Sequence, residues 1–216
     1  MESVVRGGTK WKRFAVVMVP SVAATAVIGM ALAQGALAAS FAVSGQSFKV
    51  KAAYLDGTGF VQYGGIDVKS GGAGAEPVAV SGFKHAYITD MCQSVVIPNV
   101  PIFGNVSLNL SAGTKGASDP TRRVEAENLY IDLNQLDADA EFGNINIGVA
   151  AGSTNKAQGP ATTPGQGAPA LPNSFAQEAE TAKLSNVRQT AWATSAGTFK
   201  LKDLSMSVKA GVHECY

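Results

Sequence analysis

The clearest pattern along the chain is a phrase in which apolar residues alternate with small or polar ones until a glycine closes the run. It reads Phe103-Gly-Asn-Val-Ser-Leu-Asn-Leu-Ser-Ala-Gly113 and returns as Phe142-Gly-Asn-Ile-Asn-Ile-Gly-Val-Ala-Ala-Gly152. A looser copy is Leu201-Lys-Asp-Leu-Ser-Met-Ser-Val-Lys-Ala-Gly211, and a shorter one Tyr63-Gly-Gly-Ile-Asp-Val-Lys-Ser-Gly-Gly72. Period two is the signature of a strand with one buried face, and the glycine supplies the turn that ends it. On this phase Val106, Leu108 and Leu110 are expected to face a core, as are Ile145, Ile147 and Val149, and Leu204, Met206 and Val208. Ser107, Asn109, Asn146, Gly148, Ser205 and Ser207 are expected to face outward.

Upstream of each phrase lies a second apolar segment. Three of the four carry an aromatic-aliphatic pair followed by aspartate, at Tyr54-Leu-Asp56, Tyr87-Ile-Thr-Asp90 and Tyr130-Ile-Asp132, while the fourth has Val187-Arg-Gln-Thr followed by Trp192. Each unit therefore reads as strand, short connection, strand, glycine turn. The closing glycines recur after 41, 39 and 59 residues, and a period near 40 predicts a repeat in which no unit buries its apolar face alone. The long third interval is explained by 153–180, a Pro/Gly/Ala/Thr/Gln-rich insert whose prolines cannot donate to a ladder. It is read as an exposed, flexible loop, with a short helix over Phe175-Ala-Gln-Glu-Ala-Glu-Thr-Ala-Lys183. Beyond the N-terminal apolar run no helical periodicity of useful length occurs. The expected fold is all-β: repeat-built antiparallel sheets in a sandwich, a prism or a solenoid-like stack, forming one domain over 39–216.

Residues 1–38 give the address. Arg6, Lys10, Lys12 and Arg13 precede an uncharged run from Phe14, and the next charge is Lys49. A basic head before an apolar stretch is an export signal, and Ala36-Leu-Ala38 fits the small-x-small cleavage pattern. The apolar part is also long enough, at about 20 residues, to serve as an uncleaved membrane anchor with the rest of the chain outside. Setting this segment aside also changes the charge, because residues 40–216 hold 13 basic and 15 acidic residues where the whole chain has a net +1. That balance excludes a nucleic-acid binder that needs a basic face. Cys92 and Cys215 form an even count in an exported chain and are expected to pair. Two separate buried thiols are the alternative, and a metal site lacks clustered ligands.

Candidate chemistry is sparse. Ala193-Thr-Ser195-Ala-Gly197 varies the nucleophile elbow of hydrolases and is followed by Asp203 and His213 in the matching order. An elbow needs a strand before the serine and a helix after it, whereas Thr198 to Val208 reads as strand; the competing interpretation is a polar turn. Asp137, Asp139 and Glu141 would place three carboxylates on one strand face, enough oxygens to begin a calcium site, although three acids on a solvated face are the commoner arrangement. His85 is read as half-buried. No cofactor motif appears, while the aromatic and aliphatic strands would suit a cleft for a lipid or another flat apolar molecule.

Arg13-Phe-Ala-Val-Val, Ala33-Gln-Gly-Ala-Leu-Ala-Ala-Ser-Phe-Ala-Val-Ser-Gly45, Leu55-Asp-Gly-Thr-Gly-Phe-Val-Gln-Tyr-Gly64, Met91-Cys-Gln-Ser94 and the ending Glu214-Cys-Tyr216 resemble an uncharacterised family of exported actinobacterial proteins. Its members often carry the automatic label cholesterol esterase. The resemblance implies a secreted or cell-envelope protein and carries over no catalytic residue. The leading expectation is a non-catalytic extracytoplasmic protein that binds a lipid, another apolar ligand or an envelope partner. A lipid or sterol esterase and a self-associating structural surface protein are the alternatives.

Overall fold

The computed structural model describes residues 42–69, 74–157, 159–161 and 167–216. The export segment, its cleavage pattern and the glycine end of the shortest phrase lie outside these residues. Ten strands are described: β1 (Ala42–Val43), β2 (Phe48–Lys69), β3 (Ala75–Thr89), β4 (Met91–Val100), β5 (Gly104–Ala112), β6 (Val124–Gly143), β7 (Asn146–Ala150), β8 (Phe175–Ser195), β9 (Thr198–Lys200) and β10 (Ser205–Ala210). Among the described residues the only helical pieces are two single 3-10 turns, at Pro120–Arg122 and Ala151–Ser153. The all-β class expected from the alternation therefore holds.

The architecture is a small closed barrel with extra strands rather than a sandwich, prism or stack of repeats. Four strands of 15 to 22 residues pair in the cycle β2, β3, β6, β8 and back to β2. Closure comes from the antiparallel pairing of Phe48–Phe60 with Ala179–Ala191. It requires β2 to coil. Val43 pairs with Lys69 only five residues before β2 begins at Phe48, a gap that spans at most about 18 Å. A straight strand of that length would run about 70 Å, so β2 wraps around the barrel and brings its two ends together.

β3 and β4 act as one partner of β2. Tyr54 faces Thr89 and Lys51 faces Cys92, so the register is unbroken across Asp90. Asp90 makes the corner with φ 49°, a conformation that aspartate tolerates better than most residues. Past Val95, β4 leaves β2 and continues with β5 and β10 as a three-stranded wing.

The lumen explains the alanines. A four-stranded barrel is narrow, so wall residues that point inward must be small, and Ala52, Ala86, Ala126, Ala179, Ala182 and Ala191 are all buried in the core with Leu55, Phe60, Phe83, Ile131 and Val187. Packing overrides helix propensity at Phe175–Lys183, the segment expected to be a helix, which is instead the first half of β8 with Ala176, Ala179 and Ala182 buried. A second core lies on the outer wall, where Val61, Tyr63, Val78, Val80 and Tyr130 pack against Ala157, Ala161 and Ala168 of the insert. Those three alanines are at most 8% exposed, while Leu171 and Phe175 of the same insert are exposed.

The repeat phrases do not share one core. Ser107 is fully buried, while Ile147, Met206 and Val208 are 67%, 59% and 69% exposed and Leu204 is exposed too. The phrases in β5 and β10 pair with each other at the wing, and that in β7 sits at the far edge of the sheet. The alternation is real, yet the covered face of the wing is its polar one.

Candidate functional site

The barrel lumen is not completely filled. An apolar cavity of about 130 Å³ lies among Leu55, Phe60, Phe83, Ile131, Leu133 and Val187, with Gln62, Ser81 and Gln189 as its polar positions. Its β6 wall is formed by Leu136, Ala138, Ala140 and Phe142, of which Ala138 and Ala140 are exposed, so the mouth opens there. Phe60 stacks in tilted contact with Phe83 at 5.3 Å and Phe142 at 5.1 Å. Gly57 lets this happen, because a Cβ at that position would meet the Phe83 ring. A second space of about 40 Å³ continues in the lumen towards Met91 and Phe199. The two share Leu55, Ile131, Val187 and Gln189, which form a waist between them.

Size limits what could enter. An apolar cavity of about 150 Å³ takes up benzene, whereas pockets that enclose a drug-sized ligand run to about 300–1,000 Å³. The lumen therefore has room for the end of an acyl chain or a single ring, and a sterol ester would have to remain largely outside.

Beneath the insert lies a polar cluster that the sequence reading missed. Asp67 and Asp132 are each 1% exposed and form a carboxyl pair. Asp132 Oδ2 accepts the Ala168 N–H at 3.0 Å, while Asp132 Oδ1 and both Asp67 oxygens have no protein donor. Burial, then the negative charge of Asp67, pushes the Asp132 carboxyl up to about 8. Burial also raises Asp67. The arrangement is that of two acids sharing a proton, since two adjacent buried charges would be prohibitive. Around the pair, the Tyr63 hydroxyl donates to Ala168 O and accepts from Ala161 N, and the Tyr130 hydroxyl donates to Gly159 O. At the start of the insert Glu178 accepts the Asn155 and Lys156 N–H groups. Burial would raise Glu178, but these two bonds and the Asn146 amide outweigh it and hold the carboxyl below its usual range. The only sequence sign of the pair was the recurring aspartate after Tyr130-Ile; nothing marked Asp67.

The residues singled out from sequence are placed as follows. Cys92 and Cys215 form a disulfide with Cα atoms 5.9 Å apart. It pins a tail that crosses the strands: Ser107 Oγ donates to Gly211 O, Asn109 donates to His213 O, and the Cys215 N–H donates to Ser94 Oγ. Lys49 then pairs with Glu214 at 2.9 Å and lies 5.0 Å from the Tyr216 ring centre.

Asp203 and His213 are held by separate partners, and Ser195 by neither of them. Ser195 ends β8 opposite Tyr130, and its buried Oγ has no partner. Asp203 is bound by Arg122, and His213 Nε2 meets Ala210 O at 3.0 Å. Gly197 leads into strand β9, which continues the register of β8 along β6, Ser195 facing Tyr130 and Thr198 facing Glu127, so the serine is followed by a strand where an elbow needs a helix. Asp137, Asp139 and Glu141 do share the outer face of β6, opposite Arg188, Ser185 and Lys183. Asp137 accepts from Gln135 and Asp139 from Asn186, and among the described residues no group of three or more acids, histidines or cysteines is arranged to hold a metal. His85 lies half-buried 3.4 Å from Glu125.

Comparison with curated proteins and with solved structures found no match. A family model does match, over residues 44–216, which is the whole barrel, its wing and its tail. The chain belongs to a family of unknown function, DUF6230.

Proposed function

We propose that this is a non-catalytic extracytoplasmic protein of the cell envelope whose barrel receives the end of an apolar chain or ring. The observation that carries the reading is the open, apolar lumen cavity with its mouth at Ala138 and Ala140. Its size favours partial uptake of a lipid over enclosure of a sterol ester. The basic head and uncharged run at the N-terminus support the address, as does the disulfide, which persists in oxidising compartments. An esterase would need a nucleophile and base in contact, whereas Asp203 is bound by Arg122, His213 meets Ala210 O and the Ser195 Oγ has no partner.

The test is native mass spectrometry of protein purified without stripping lipid. A bound apolar adduct is expected, and Ala138→Trp, which closes the mouth without touching the core, is expected to remove at least nine-tenths of it. Adduct that survives Ala138→Trp would show that lipid binds elsewhere. Ester hydrolysis lost on Ser195→Ala would replace this reading with the esterase.

A further inference from the structure

The waist of the lumen is made of three aliphatic side chains and one amide. Gln189 stands there with Leu55, Ile131 and Val187 and lines the spaces on both sides. Register explains why no other side chain answers it. Along β8 its neighbours on the inward face are Val187 and Ala191, both buried in the core. Across the sheet it stands opposite Val50 of β2 and Leu136 of β6. All four are apolar, so Gln189, only 7% exposed, makes no hydrogen bond to any described residue. The other polar positions of the larger space differ. Gln62 donates to Ser81 Oγ at 3.0 Å and accepts from Gln177, so these groups are satisfied within the wall. A glutamine amide carries donors on its nitrogen and an acceptor oxygen, and burying it without a partner is unfavourable.

This lining discriminates among guests. A hydrocarbon drawn into the waist would displace the water that reaches the amide and return no hydrogen bond. A hydroxyl can donate to Oε1 or accept from Nε2, so it finds a partner in either orientation. Among the described residues no charged side chain lines either space, so a carboxylate or an ammonium would be left unpaired among apolar groups. The geometry points to Gln189 as a specificity residue: the lumen takes an uncharged ring or short chain that bears a hydroxyl, with its apolar body in the larger space and its oxygen at the waist. This inference rests on the reading of the lumen as an apolar binding site and names the chemistry of its guest.

Toluene and phenol are close in size and differ by a methyl in place of a hydroxyl. The full chain, freed of bound lipid, is titrated with each by calorimetry, alongside Gln189→Met and Ala138→Trp. Gln189→Met keeps the length of the side chain and removes the amide. It is expected to weaken phenol relative to toluene about fivefold or more, and toluene bound by this variant shows that its lumen is intact. Ala138→Trp is expected to abolish binding of both. A phenol-to-toluene ratio that Gln189→Met leaves unchanged, or a parent chain that binds toluene but not phenol, overturns the inference while the lumen remains a binding site. Phenol that still binds Ala138→Trp also overturns it, because the guest then lies elsewhere. A parent chain that binds neither overturns the reading of the lumen itself. If Gln189→Met does not fold, the side-chain amide resonance of Gln189 in the parent decides: a shift with phenol that toluene does not produce supports the inference, and an equal response to both overturns it.

Discussion

At the scale of single residues, the acids beneath the insert set how stability depends on pH. A carboxyl raised by folding favours the native state while it stays protonated, so the contribution of the Asp67–Asp132 pair is complete below about pH 4 and is lost as pH rises towards 8. Glu178 acts in the opposite sense. Its folded carboxyl is depressed, so its contribution is present above its unfolded value and is lost as the solution becomes more acid. Asp132→Asn is expected to remove the decline between pH 4 and 8 and to raise the melting temperature at pH 8 and above, as measured by thermal unfolding across pH. An unchanged slope would mean that the pair is not protonated as described. A second contrast tests the core. Ile131→Ala, in the lumen wall, is expected to cost about 2 to 5 kcal/mol in denaturant unfolding, whereas Ile147→Ala, at 67% exposure, is expected to cost under about 0.5 kcal/mol.

At the scale of elements, the tail and the disulfide make the wing continuous with the barrel. β4 pairs with β2 only over Phe48–Lys51, and the bond from Cys92 closes a loop of 123 residues. The chain-entropy model assigns such a closure up to about 4 to 5 kcal/mol. Non-reducing peptide mapping should recover a single Cys92–Cys215 cross-link, and Cys215→Ser should lower stability while exposing the polar face of β4 and β5 to hydrogen exchange. Loss of protection confined to the barrel would contradict this placement. Where the insert meets the barrel, Ala157, Ala161 and Ala168 are small enough to lie flat on the outer wall, and Tyr63 and Tyr130 supply hydrogen bonds that no ladder provides.

At the scale of the whole molecule, closure joins distant parts of the chain. Phe48 pairs with Ala191 and Phe60 with Ala179, so the barrel cannot close until β8 has been positioned, and folding is expected on the millisecond-to-second scale of proteins dominated by non-local contacts. Hydrogen exchange should find the slowest amides in the paired parts of β2 and β8 and the fastest in β10 and β7, the two edges of the sheet. Early exchange in β2 would contradict the closed barrel. Several features were legible in the sequence because each depends on local chemistry. Alternation identified the strands, Gly113 and Gly211 take the positive φ expected of closing turns, and an even cysteine count gave the disulfide. The shared outer face of Asp137, Asp139 and Glu141 followed from period two. Alternation states that a strand has two faces, but not which face is covered or by what. The partners came from tertiary structure: β8 closing on β2, the tail burying Ser107, and the insert covering Asp67 and Asp132. The apolar phrase at β10 faces solvent for the same reason. Pairing over more than a hundred residues is decided by the curvature and packing of the assembled sheet, and no short stretch of sequence encodes it.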